Sequence, residues 1–198
     1  ALVFLKHIYR YQEFNKTGGV LTIHNLGYQG QYSKESFASF GIDWGLYYGA
    51  GFEHHGGINL LQAGISSADM ITTVSPTYAR EIQTAEGGFG LDGLLRVRSD
   101  VVRGILNGVD LRSWDPATDK RLPKNYSFKT IKDKAVNKKT LQEKMGLEVN
   151  PDIPVFGIVT RLADQKGIAE LFAPTYGCMY NMCSNLKIQV AVLGSGEA

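Results

Sequence analysis

Apolar residues recur along this chain with two different periods, and each change of period marks an element. Leu2, Leu5, Ile8 and Tyr9 fall near helical spacing and predict the tail of an amphipathic helix over 1–15. Residues 20–24 then read as a strand ending at His24, followed by a glycine- and tyrosine-rich loop through Tyr32. A short helix from Ser33, an aromatic segment around Trp44, Tyr47 and Tyr48, and a helix over 59–67 come next. Residues 69–75 form a strand, and Ser75 is placed to cap a helix that has Pro76 at its first position. Four glycines over 86–93 predict a long, mobile loop before another strand over 101–106, which ends in Asn107 and Gly108.

The texture becomes polar and turn-rich over 114–125, followed by a lysine-rich helix over 130–145 that stops at Gly146. Asn150 to Pro154 reads as a linker. Val155, Phe156, Ile158 and Val159 then make the continuous apolar run of a strand covered on both faces. A helix over 165–184 and a strand over 187–193 complete one βαβ unit. The pattern therefore predicts an α/β chain with 1–111 in one domain, 112–153 between domains and 154–198 opening a second. With no N-cap at its start and a single βαβ unit at its end, the chain reads as a piece of a longer protein.

Composition narrows the partner. The chain has 198 residues, 43% hydrophobic and 20% charged, as in an ordinary globular protein. A net charge of +2, with no basic run carrying interleaved aromatics, gives no case for nucleic acid. No apolar stretch is long enough for a membrane span or a signal peptide, so a cytoplasmic location is expected, or the plastid stroma in a plant. Cys178 and Cys183 share one predicted helix and read as reduced, packed thiols.

Arg161 and Lys166 lie where the strand at 155 ends and the next helix begins, with Gly167 allowing close backbone approach. Two cations at such a place fit a phosphate or diphosphate; the alternative is an ion pair with Asp164. His24 ends its strand beside Asn25, Tyr28 and Gln29, a density of neutral donors and acceptors suited to sugar hydroxyls. The alternative is a histidine satisfied by a backbone hydrogen bond. Asn107 stands before a glycine at another strand end, where a left-handed turn is the plainer reading. Glu53, His54 and His55 lack further partners at metal-ligand spacing, so no metal site is expected. No Asp-x-Asp pair occurs, so a sugar transferase built from this chain would stabilise its leaving group with Arg and Lys. Gly194 and Gly196 are half of a dinucleotide fingerprint, a weak signal without the third glycine.

Several blocks in fixed order resemble the bacterial glycogen synthase and plant starch synthase family. They are Thr22 to Gly30, Thr72 to Ile82, Gly90 to Gly93, Ile105 to Asp110, Trp114 to Asp119 and Arg161 to Gly167. The resemblance implies a glycosyltransferase of the GT-B type, with two Rossmann-like domains, both incomplete here, and an active site in the cleft between them. It implies transfer of glucose from ADP-glucose to the non-reducing end of an α-1,4-glucan, with retention, no metal and no cofactor. Arg161 and Lys166 would hold the donor diphosphate. His24 and Asn107 would contact the sugar, and Asn25, Tyr28 and Gly167 would bind substrate. Gly27 and Gln62 depart from the family, which often has alanine and lysine there. The family's Lys-x-Gly-Gly loop, its later glutamate and its glycine-rich phosphate loop are not in these residues, so the isolated segment is expected to be inactive. A competing reading, a non-catalytic glucan-binding or scaffold module, would need residues 44–52 exposed as a stacking platform.

Overall fold

A computed structural model describes residues 1–9 and 14–196, the side chain of Asp164 excepted, and divides into two units, Ala1–Gly108 and Val109–Ala198. The 10–13 part of the expected first helix, Glu197, and the ion-pair alternative through Asp164 lie outside the described residues.

The first unit runs α1 (Leu2–Phe4), a π-helical turn Leu5–Tyr9, β1 (Val20–Ile23), β2 (Gln31–Tyr32) and a 3-10 helix Lys34–Phe40. It continues with α2 (Gly45–Gly49), β3 (Glu53–His54), β4 (Gly57–Asn59), α3 (Leu60–Ser67), β5 (Met70–Thr73) and α4 (Pro76–Glu81). α5 (Asp92–Val97), a 3-10 turn Ser99–Val101 and β6 (Val102–Gly104) close it. β1, β5 and β6 form a parallel sheet with β5 central; Ile23 lies opposite Thr73, and Thr73 opposite Gly104. The intervening helices supply the crossovers that parallel pairing requires. Ile23, Leu26, Ile65, Ile71, Ile82 and Leu95 make the core beneath them. Ser75 caps α4 as expected, its Oγ accepting the Tyr78 N–H at 2.9 Å ahead of Pro76.

Two features of this unit depart from the sequence reading. First, β2, β4 and β3 form a small antiparallel sheet, and β3 and β4 are joined by His55 and Gly56. Both turn residues have positive φ, 51° and 84°, the twist that a two-residue hairpin needs. Second, the expected loop over 86–93 is a stack of turns that runs into α5. Gly88 N–H bonds the Thr84 carbonyl at 2.8 Å, and Leu91 is buried. A Cβ on Gly88 would lie 2.3 Å from the Asp92 Cβ, so this glycine serves close packing.

The aromatic segment is largely interior. Phe37, Tyr47 and Phe52 are buried together, with Tyr47 Oη donating to the Gly57 carbonyl at 2.9 Å. Only Trp44 and Tyr48 of residues 44–52 are exposed large apolar side chains. The stacking platform required by the scaffold reading is thus mostly core.

The second unit opens with three aspartate turns. Asp110, Asp115 and Asp119 each accept the N–H two residues on, from Arg112, Ala117 and Arg121. A 3-10 helix Phe128–Asp133 leads into α6 (Lys134–Lys144), and Gly146 follows with φ 65°. β7 (Val155–Val159) and β8 (Gln189–Leu193) pair in parallel, separated by a 3-10 turn Asp164–Lys166, α7 (Ile168–Phe172) and α8 (Cys178–Asn185). The expected single helix over 165–184 is therefore broken between α7 and α8. Pro174, which has no N–H to donate, falls in the break.

Residues expected to form a separate interdomain segment fall in this unit. Buried Gln142 of α6 donates to Gln189 Oε1 at 2.7 Å, and Gln189 Nε2 donates to the Glu148 carbonyl at 2.7 Å. β7 is not covered on both faces, for Phe156 and Val159 are exposed on this two-stranded sheet. Cys178 and Cys183 share α8, but both are exposed rather than packed.

Candidate functional site

Both units gather their candidate residues where parallel strands end, the edge at which open α/β sheets bind ligands. In the first unit, His24 follows β1 directly and is exposed. Ser75 stands two residues beyond β5, and Asn107 three beyond β6. The ladder extends past β6, with Ile105 N–H on the Thr73 carbonyl at 2.8 Å, so the chain leaves the sheet toward Asn107 in a fixed direction. Asn107 is exposed and has no positive φ, so it is not the left-handed turn residue that was its plainer reading. Gly104 carries the crossing of these segments. A Cβ there would lie 2.2 Å from the Ser75 carbonyl oxygen and 2.4 Å from the Pro76 Cα.

The loop after His24 is built rather than loose. Asn25 Oδ1 accepts the Gly27 N–H at 2.9 Å, and Tyr78 Oη of α4 accepts the N–H of buried Leu26 at 2.9 Å. The carbonyls of Gln29 and Gly30 accept the first two N–H groups of α3, from Leu61 and Leu60. Below them, Asn59 caps α3 with its oxygen and donates its nitrogen to Gln29 Oε1 at 2.6 Å. Gln31 Nε2 also donates to Gln29 Oε1, and Gln29 Nε2 reaches the Phe89 carbonyl at 3.0 Å. A buried amide chain thus ties the loop to Phe89, a residue that the sequence reading did not single out. Its signal would have been a bulky residue inside a glycine run.

In the second unit, Arg161, Lys166 and Gly167 share the segment after β7. Thr160 N–H bonds the Leu193 carbonyl and Leu162 N–H bonds the Ser195 carbonyl, so the two strand ends run side by side past the ladder. Gly194 and Gly196 permit this. A Cβ on either would lie 2.2 Å from the Thr160 carbonyl oxygen or 2.8 Å from that of Leu162. Half a dinucleotide fingerprint is here a close approach of two strand ends around Arg161. Lys166 N–H bonds the Ala163 carbonyl at 2.9 Å, and Gly167 turns into α7 with φ 68°. Arg161 and Lys166 are both exposed, and neither makes an ion pair among the described residues. α7 has only five residues, so its dipole is small, and the positive charge of this turn is that of the Arg161 and Lys166 side chains.

The three residues considered for a metal have structural work. Glu53 Oε1 accepts the Gly56 N–H at the hairpin turn. Gln62 Nε2 donates to the Gly51 and Glu53 carbonyls, leaving its Oε1 to accept from His54 Nδ1 at 2.7 Å. Gln62 is therefore the clamp of this hairpin. At Gly27, a Cβ would sit 3.2 Å from Asn25 Oδ1.

Residues 1–97 match the model of the starch synthase catalytic domain. The glycogen synthase of Treponema denticola is 50% identical over 196 residues, 99% of this chain and 40% of that protein. The chain resembles a segment of the glycogen and starch synthases. The glycogen synthase of Geotalea uraniireducens is 49% identical over 93% of the chain and 37% of its own length. Among solved structures, the catalytic domain of Starch Synthase IV from Arabidopsis thaliana, bound to ADP and acarbose, superposes with TM-score 0.86 at 33% identity. That match covers all of this chain and 40% of the plant one. The chain thus spans about two fifths of the length of these relatives and shares the α/β fold of the starch synthase catalytic domain. Among the described residues, no helix is long and apolar enough to cross a membrane.

Proposed function

We propose that this chain forms part of a retaining, metal-independent glucosyltransferase of the GT-B type. Its donor is ADP-glucose, and its acceptor is the non-reducing end of an α-1,4-glucan. The observation that carries this reading is the placement of all its polar candidates at the carboxyl edges of parallel strands, neutral in one unit and cationic in the other. A nucleoside diphosphate sugar needs both kinds of contact. His24 and Asn107, with Asn25 and Tyr28 beside them, supply hydrogen bonds to the glucosyl group and the acceptor. Arg161 and Lys166 supply charge to the diphosphate, and Gly167 lets it approach the backbone.

The chemistry fits this division. As the glycosidic bond to ADP breaks, negative charge grows on the β-phosphate oxygen. Cations already in place interact more strongly with that charge than with the ground state, so they lower the barrier rather than only tightening binding. The reaction stays in the soluble phase in this reading, in the cytoplasm or, in a plant, the plastid stroma. The protein with its complete reading frame, given ADP-glucose and glycogen, is expected to lengthen chains through α-1,4 bonds and release ADP. Glucan binding without any transfer from ADP-glucose would reject the reading in favour of a scaffold role.

A further inference from the structure

Asn107 and Gly108 make the only asparagine–glycine pair in the chain. The pair lies just past the end of β6, where the first unit passes into the second. We propose that Asn107 is a site of spontaneous deamidation, at which the asparagine turns into aspartate or isoaspartate through a succinimide formed with the Gly108 nitrogen. This chemistry stands apart from the proposed function, and only its consequence for activity rests on that reading.

Ring closure needs a backbone nitrogen that is free to swing onto the side chain before it. Regular secondary structure forbids that motion, because each N–H is held by a carbonyl partner. The ladder here stops at Ile105, whose N–H bonds the Thr73 carbonyl. Beyond it, Asn107 and Gly108 lie outside every helix and strand, and neither makes a hydrogen bond among the described residues. Asn107 is exposed, so water reaches its amide. At Gly108 a Cβ would meet nothing within 4 Å, and a glycine carries no side chain to block the approach of its own nitrogen.

The other asparagines lack this combination. Asn25 Oδ1 accepts the Gly27 N–H, and the nitrogen that follows it, that of Leu26, is held by Tyr78 Oη. Asn59 is buried as the cap of α3. Asn137 sits within α6, with both ends of its amide bonded to the Lys124 backbone. Asn150 precedes Pro151, whose nitrogen has no proton to lose.

In the reaction the Gly108 nitrogen gives up its proton and attacks Asn107 Cγ. The bond from Cγ to Nδ2 breaks, and ammonia leaves with that proton. Water then opens the ring at either carbonyl. One opening leaves aspartate, and the other leaves isoaspartate, with the main chain rerouted through the former side chain. The net change is NH2 for OH, which ionises to a carboxylate at neutral pH. A carboxylate only accepts hydrogen bonds, so Asn107 loses the donor that a sugar oxygen would take. It also gains a charge of the same sign as the diphosphate of ADP-glucose. Under the proposed function, transfer therefore declines as the modified fraction grows.

The test holds the full-length protein in mildly alkaline buffer, which favours loss of the glycine proton. Samples taken over days are mapped as peptides by mass spectrometry and assayed for transfer from ADP-glucose to glycogen. The peptide carrying Asn107 should gain one dalton ahead of the peptides carrying the other asparagines of this chain. Gly108→Ala is the informative variant, since Gly108 has no positive φ and has room for a methyl, so the fold should persist while most of the mass gain is lost. An Asn107 that stays intact, or that reacts no faster than the other asparagines, overturns the proposal, as does an unchanged rate in Gly108→Ala. The parent reading fails separately. Full conversion at Asn107 with transfer unchanged keeps the modification site and takes Asn107 away from the sugar.

Discussion

Replacing Gln29 with methionine keeps the length and nearly the volume of the side chain but removes all its hydrogen bonds. The cost can be apportioned from what each partner does next. Gln31 is exposed, so its amide turns to water at little expense. Phe89 is also exposed, and its carbonyl can be solvated in the same way. Asn59 has no such option. Its side chain is 0% exposed, and the Nδ2 that bonded Gln29 at 2.6 Å is left buried without an acceptor. One unsatisfied buried amide costs ~1–3 kcal/mol, and that single group accounts for nearly the whole effect. Urea denaturation of wild type and variant checks this, with a midpoint shift of about 1 M expected for a typical slope. A loss below about 0.5 kcal/mol would show that the network does not hold the loop and that the fixing of Phe89 needs another cause.

Three other features of the fold lead to measurable outcomes. Arg98 donates to the carbonyls of Ile65, Ser66 and Ala68 at the end of α3, so Arg98→Ala should cost ~2–3 kcal/mol in denaturant unfolding, and Arg98→Lys should recover only part of it. Gly104→Ala places a methyl against the backbone of Ser75 and Pro76, which no rotamer change can relieve. It should cost ~3 kcal/mol, and a silent substitution would mean that the two segments part easily. Hydrogen bonds hold two carboxyls below the usual aspartate range, Asp110 chiefly through the Ser113 hydroxyl and Asp119 chiefly through the Arg121 side chain. Their stabilising effect is complete above the ordinary aspartate value and is lost as pH falls through the lowered one. Carboxyl-carbon NMR should therefore find both midpoints below 3.8, and ordinary midpoints would remove the effect.

The sequence made legible what local chemistry decides. Strands at β1, β5, β7 and β8 follow from apolar runs, and the start of α4 follows from Ser75 and Pro76 because an N-cap is a three-residue affair. The hairpin at His55 and Gly56 escaped notice because two-residue turns are usually announced by Asn-Gly or Asp-Gly, and here Glu53 bonds the turn while Gln62 of α3 holds the strand before it. The glycines over 86–93 looked like slack. Whether a glycine gives freedom or close packing depends on a neighbour such as Asp92 that only the folded chain supplies. Pro174 stands inside the span read as one helix, and the break falls there because its nitrogen has no proton to donate. At the site, the strand-end positions of His24, Asn107, Arg161 and Lys166 were readable from apolar runs that stop. Phe89 was not, since its role depends on a hydrogen bond 60 residues away in sequence, from Gln29.

The most direct test of the central claim is single-turnover transfer from ADP-glucose to glycogen by the full-length protein, comparing wild type with Lys166→Ala. If Lys166 holds charge on the departing diphosphate, the chemical step should slow by about a hundredfold or more while glycogen affinity stays near wild type. Transfer at the wild-type rate in that variant would contradict the account.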